Sequence, residues 1–342
     1  MPGADEILDL TANRLGRRRV GVVVGHLAAD GTTTVRGTGR TSLPDGGTPD
    51  ARTRFEIGSI TKTFTALALA RAVTAGGLDL ETPVGDLVPE VAPLGRGGTP
   101  VTLRHLATHT SGLPRVHISM LRGTLDAYRG LDPYRNHSEE ALLAAIRSGR
   151  LRRTPGTGRQ AYSNSGFGLL GIALARHAGL TYAELVARDV TGPLGLTDTG
   201  TSDAATAEQA ARTAVGHHRR RTPAAAWNLD ALPGAGALHS TADDLLTWAR
   251  WHLDPPPGEL GEALRFAVAE HGPRIGLAWQ RSATEAERRR GRDQVIWHSG
   301  GTGGFRSALC LQPATGDAVV VLTNHGRSAA LAAFRLLAAL SR

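Results

Sequence analysis

Apolar positions along the chain follow two periods, and the period changes with place. Near the start, Ile7, Leu8, Leu10 and Leu15 predict an amphipathic helix over residues 5–15. Residues 20–24 and 32–37 then read as two strands joined by a turn at Ala29-Asp30-Gly31. Residues 41–53 are polar and rich in Gly and Pro, a loop. From 60 to 75 the chain is apolar on nearly every side, the pattern of a buried helix, and Gly76-Gly77 ends it. Further helices are predicted where a capping residue precedes a periodic run. Thr102 opens a short helix through 107, and Ser138 opens one over 141–148. Another spans 165–178 with Gly179 after it. Thr181 and Glu184 form a capping box for a helix reaching 189, and Thr241 leads the helix 242–252. Runs rich in β-branched or aromatic residues predict strands at 274–280, 294–298, 306–311 and 318–323, and an Ala/Leu helix closes the chain over 328–340.

Strands therefore sit at both ends and helices in the middle. The simplest architecture is an α/β (α+β) fold: one antiparallel β-sheet joins the termini, flanked by the N- and C-terminal helices, with a mostly helical lobe inserted. A single domain over 1–342 is expected, its sheet lobe near 1–58 and 240–342 and its helical lobe near 59–239. No internal repeat interrupts it.

Composition singles out one residue. Lys62 is the only lysine among 39 Lys and Arg. Arginine stays protonated in proteins, whereas a desolvated lysine can become a neutral base. Lys62 follows Ser59 by three residues, so the two share a helix face and can touch. Ser59 would lie at the start of the buried helix, where free N–H groups favour an oxyanion. A nucleophile beside a base in a low dielectric makes an activation unit. The competing reading is a leftover surface lysine after a serine.

The formal charge of +8 raises nucleic acid as a partner. The arginines, however, come in separated runs at 17–19, 152–153, 219–221 and 288–290 with no interleaved aromatics. Solvated surface arms are expected, and no nucleic-acid or membrane partner. Cys310 is the only cysteine, so no intrachain disulfide is possible, and it reads as a small buried hydrophobe. No export signal or membrane-length apolar run is legible, which predicts a cytoplasmic protein. His217-His218 has no metal-ligand partners at usable spacing, so no metal and no cofactor are expected. Gly-x-Ser-x-Gly and P-loop patterns are absent.

Two more stretches carry candidate chemistry. Tyr162-Ser163-Asn164 precedes a helix; Tyr can relay a proton and Asn can hold a substrate amide. Val295-Ile296-Trp297-His298-Ser299-Gly300-Gly301 is a strand running into glycines, where a substrate can approach the backbone closely.

Ser59-Ile60-Thr61-Lys62, Tyr162-Ser163-Asn164 and His298-Ser299-Gly300, in this order and spacing, resemble the three motifs of the class C β-lactamase-like serine hydrolases. That group includes D-Ala-D-Ala carboxypeptidases, D-aminopeptidases and family VIII esterases. Leu106-Ala107-Thr108-His109-Thr110-Ser111-Gly112-Leu113 and Ser240-Thr241-Ala242-Asp243-Asp244 resemble family segments too, and the resemblance spans roughly 5–340. It implies a β-lactamase/transpeptidase-like fold with Ser59 as the acylated nucleophile. Lys62 and Tyr162 would share the proton work, Asn164 would hold a substrate amide, and the N–H groups of Ser59 and Gly301 would form the oxyanion hole. His298 stands where many relatives have Lys and would orient Tyr162 and the substrate, with Ser299, Gly300 and Gly301 binding beside it. His105, His109, His239 and His325 are expected as structural residues.

The implied function is a serine hydrolase forming an acyl-enzyme on small esters, amides or β-lactams. An acyltransferase of small-molecule biosynthesis using the same site is the alternative, and a non-catalytic penicillin-binding-type module the second. Residues 115–160 and 200–235 are expected to wall the pocket. Their arginines point to a carboxylate-bearing small molecule. The oligomeric state stays open.

Overall fold

The computed structural model describes residues 3–116, 131–134 and 137–341. Alternating apolar residues build a six-stranded antiparallel sheet from both ends of the chain. In chain order its strands are β1 (Gly21–Leu27), β2 (Thr33–Gly39), β3 (Gln280–Arg281), β4 (Ile296–Gly301), β5 (Arg306–Gln312) and β6 (Asp317–Thr323). Across the sheet they run β2-β1-β6-β5-β4-β3. Side chains alternate between faces along a strand. Val22, Val24, Ala308, Cys310, Val319 and Val321 meet Leu8, Ala12 and Leu15 of α1 (Ala4–Gly16) and Ala333, Leu336 and Leu337 of the C-terminal helix (Ala330–Leu340). The other face carries Val23, Leu27, Leu309, Leu311, Val320 and Leu322 into the main core.

The chain passes between sheet and helices at a two-stranded ribbon in which Phe55–Glu56 pairs with His239–Ser240. The central helix α2 (Thr61–Thr74) begins there. Every residue from Thr61 to Ala70 is buried, as a helix apolar on all sides must be. Against it pack α3 (Asn164–Ala178), α4 (Ala242–Leu253) and α5 (Glu259–Val268); Phe64 stacks on Trp248 with ring centroids 4.1 Å apart. The caps follow the predicted chemistry. Thr102, Ser138, Thr181 and Thr241 each accept a backbone N–H at the first turn, and Gly179 ends α3 at φ 66°.

Of the elements that differ from expectation, two help build the core. Residues 274–280 form no strand beyond Gln280. Ile275, Leu277, Ala278 and Trp279 are all fully buried in a turning segment, with Arg274 at φ 61° and Ala278 at φ 62°. Its N–H groups bond to loop and helix-end carbonyls, Leu277 to Ala267 and Ala278 to Ala107, in place of a strand ladder. The second is α5, which was not anticipated although Leu260, Ala263, Leu264 and Ala267 have helical spacing.

Candidate active site

A 3₁₀ turn, Gly58–Ile60, leads into α2 and lifts one side chain out of the core. Between Thr53 and Ala70, Ser59 is the one residue that is not buried. Gly58 takes φ 51°, a conformation glycine holds without strain. The turn is pinned from the sheet: Ser307 Oγ donates to the Ile57 carbonyl at 2.7 Å. A Cβ on Gly300 would fall 1.9 Å from that same carbonyl, so the glycines of β4 let strand and turn meet backbone to backbone.

Lys62 lies one turn below Ser59 and is fully buried. Its Nζ sits 3.1 Å from Ser59 Oγ, 3.0 Å from Asn164 Oδ1 and 2.6 Å from the Ala235 carbonyl. Burial, and then the charge of Arg115, hold its pKa well below the usual lysine value. A neutral amine has two N–H donors and one lone pair. In that state the two carbonyl-type oxygens would take the donors, leaving the lone pair to face the Ser59 hydroxyl. The amine also lies 4.9 Å from the Tyr162 ring centroid and 5.6 Å from that of Phe167.

Tyr162 and Asn164 come to this point through the segment that opens α3. The Ser163 side chain caps the helix through the Gly166 N–H. His109, at φ 59°, accepts the Ser163 N–H on Nδ1 at 3.2 Å and lays its ring 4.4 Å from that of Tyr162. Burial pushes the Tyr162 phenol up to about 12, against the opposing pull of a hydrogen bond with Ser59. Tyr162 is therefore a phenol at neutral pH, and a donor.

His298 is buried on β4 with its Nδ1 at 3.0 Å from the Ser299 carbonyl. A carbonyl can only accept, so Nδ1 carries the proton and Nε2 presents a lone pair. That Nε2 is buried without a partner. Burial, and then the Lys62 charge, push the imidazole down to about 3. His298 thus supplies a neutral acceptor where a lysine would supply a cation.

Ser59, Tyr162, Asn164, His298, Ser299, Gly300 and Gly301 line one cleft of about 730 Å³, with Lys62 beneath its floor. Of the segments expected to wall it, Arg115, Val116, Tyr134, Gln160 and Trp227 do so; 117–130 and 135–136 lie outside the described residues. The sequence reading missed Arg306 and Trp297 on the wall, and His109 as the support of Tyr162. The family-like segment around His109 was the available signal. His105 by contrast sits in a capping box with Thr102. Among the described residues, no group of three or more His, Cys, Asp or Glu could hold a metal ion. No described helix is long and apolar enough to cross a membrane.

A family model for beta-lactamase matches residues 8–341. The chain belongs to the beta-lactamase family. Among curated relatives of this family member is the D-alanyl-D-alanine-carboxypeptidase/endopeptidase AmpH of Escherichia coli strain K12. The two are 28% identical over 329 residues, covering 91% of this chain and 81% of AmpH. Esterase EstB of Burkholderia gladioli is 32% identical over 257 residues, covering 66% of this chain and 63% of EstB. The fold is shared with solved structures. A β-lactamase/D-alanine carboxypeptidase from Pseudomonas syringae superposes with a TM-score of 0.81 at 20% identity over 98% of both chains. A class C β-lactamase from Rhodobacter sphaeroides gives 0.78 at 23% identity over 98% of this chain and 97% of its own. Membership of this family makes the protein a relative of serine hydrolases with carboxypeptidase and esterase members.

Proposed function

We propose that this beta-lactamase family member is a serine hydrolase that works through an acyl-enzyme on Ser59, on small esters, amides or β-lactams. The observation that carries it is the pairing of a fully buried lysine, its Nζ 3.1 Å from Ser59 Oγ, with a serine that alone in its segment is not buried. In this reading the neutral Lys62 amine takes the Ser59 proton as Oγ attacks the substrate carbonyl. The N–H groups of Ser59 and Gly301 receive the oxyanion. Lys62 ammonium returns a proton, through the Tyr162 hydroxyl, to the departing alcohol or amine. Water then attacks the ester on Ser59 and gives a proton to the same pair; that proton passes to Ser59 Oγ as the acyl C–O bond breaks, and the acid leaves. Asn164 holds both Lys62 and the substrate amide.

Intact-mass spectrometry with a panel of penicillins, activated esters and D-amino-acid amides tests the reading and sorts the substrates. A fluorophosphonate should label one residue, Ser59, and Ser59→Ala should fold and lose the label. An adduct on Ser111, Ser163 or Ser299 would move the nucleophile elsewhere. Product analysis with an added amine shows whether water or another acceptor takes the acyl group.

A further inference from the structure

Two arginine runs that are 200 residues apart in sequence meet at one end of the cleft. After β6 the chain pairs with residues 215–218: the His217 N–H donates to the Asn324 carbonyl and the Gly326 N–H to the His217 carbonyl. This brings Arg219 against Gly326, with its Nε donating to the Gly326 carbonyl at 3.3 Å. Arg19, from the turn after α1, reaches the Ser328 carbonyl with Nη2 at 2.7 Å. Ser328 and Ala329 line the cleft beside Arg306. Arg19, Arg221 and Arg327 all lie close enough to His325 for their charges to act on it, as Arg219 does on Arg306.

None of Arg19, Arg219, Arg221, Arg306 and Arg327 forms an ion pair with a carboxylate among the described residues, and Arg19 Nε is buried without a partner. Some arginines elsewhere are paired: Arg36 with Asp5 and Asp9, Arg176 with Glu90 and Glu139, Arg212 with Asp198. Among the described residues, no Asp or Glu lines the cleft. Arg306 is fixed by its Nη1, which donates to the Thr302 and Phe305 carbonyls at 2.5 and 2.6 Å. Among the described residues, Nη2 and Nε have no acceptor. Its guanidinium lies over Gly301, where a Cβ would come within 3.2 Å of Cζ.

We propose that the cleft extends into a binding site for a multiply charged phosphate-type group, so that the substrates are acyl compounds carrying a phosphate or diphosphate beyond the scissile bond. One bidentate arginine matches one carboxylate, whereas converging arginines match the several oxygens and higher charge of a phosphate. Arg306 reads the group from the cleft wall, and Arg219, Arg327 and Arg19 supply the field behind it. Neutral His298 contributes no cation, so anion recognition falls to arginines: Arg306 with its neighbours at this end of the cleft, and Arg115 beside Tyr162. This rests on the cleft at Ser59 being the substrate site.

The probe is inorganic pyrophosphate, titrated by calorimetry into full-length Ser59→Ala protein at fixed ionic strength. Binding there does not need the nucleophile, so the result is separate from the hydrolase reading. Pyrophosphate should bind at one site at least about tenfold more tightly than acetate, and Arg306→Gln and the pair Arg219→Gln/Arg327→Gln should each weaken it about tenfold, the scale of a lost charge-assisted contact. In wild type it should slow labelling of Ser59 competitively. Equal affinity for acetate and pyrophosphate overturns the proposal, as does affinity unchanged in both variants. So does a single-stranded oligonucleotide that binds more tightly than pyrophosphate and is not displaced by it, which would make the patch a nucleic-acid surface. Arg219 and Arg327 are exposed, so the pair should fold; should its melting curve show otherwise, Arg306→Gln alone decides.

Discussion

The Gly58 Cα packs directly on the Gly301 amide: a Cβ on Gly58 would lie 2.6 Å from the Gly301 nitrogen. The nucleophile turn and the end of β4 are thus one unit, and the N–H groups proposed to share an oxyanion are spaced by it. Gly58→Ala should force the two apart as well as strain a backbone at φ 51°. Gly76→Ala is the control. Its φ of 74° carries a similar strain, but its Cβ meets open space. The left-handed penalty is about 1–2 kcal/mol for either. Gly58→Ala should melt lower than Gly76→Ala and lose acylation rate, whereas Gly76→Ala should keep it. Equal melting temperatures and equal rates would show that the contact positions nothing.

Lys62→Arg is the change that the composition makes most conservative and the site least tolerates. Arginine cannot offer a lone pair to Ser59. Single-turnover acylation by one activated ester should fall by at least about 10²-fold, the usual scale of a lost general base. A folded variant that acylates within a few-fold of wild type would hand the base role to Tyr162.

The pH profile of acylation separates the same two residues. Lys62 must be neutral to act, and its pKa is lowered by burial. Tyr162 stays a phenol until about 12. The rate should therefore rise with pH through one ionisation and then stay flat until the Tyr162 phenol begins to ionise. Tyr162→Phe should keep the rising limb. If that limb disappears in Tyr162→Phe, the phenol is the group that titrates.

Much of the fold was legible because strand and helix periods differ, and the caps at Thr102, Ser138, Thr181 and Thr241 marked the helix starts. The failure at 274–280 has a physical cause. Ile275, Leu277 and Trp279 alternate as a half-buried strand would, yet the segment is buried on all sides in turns, and burial alone does not fix a period. Ser59, Lys62, Tyr162 and His298 stood out because their chemistry needs those residue types in short motifs. Arg306 and Arg115 did not. In a chain with so many arginines, only the tertiary fold tells a cleft arginine from a surface one.

Glu56 provides a stability test with a definite sign. It is buried within the ribbon, and burial pushes its carboxyl up to about 7. Between its unfolded value near 4.5 and about 7, the folded state holds a proton that the unfolded state has lost. Its contribution to stability is therefore present at low pH and lost as pH rises through that window. Glu56→Gln should remove this loss. The melting temperature of the variant relative to wild type should climb from pH 5 to 7.5; a constant difference would mean that Glu56 ionises freely in the folded protein.

The burial of Lys62 has a practical consequence. The folded molecule shows no lysine side chain to solvent, since its single one is fully enclosed. An amine-reactive ester can therefore modify that side chain only in molecules whose centre has opened. Mass spectrometry of the peptide containing Lys62, after timed exposure to such a reagent, reads the opening rate of the innermost helix at one position, without an engineered probe.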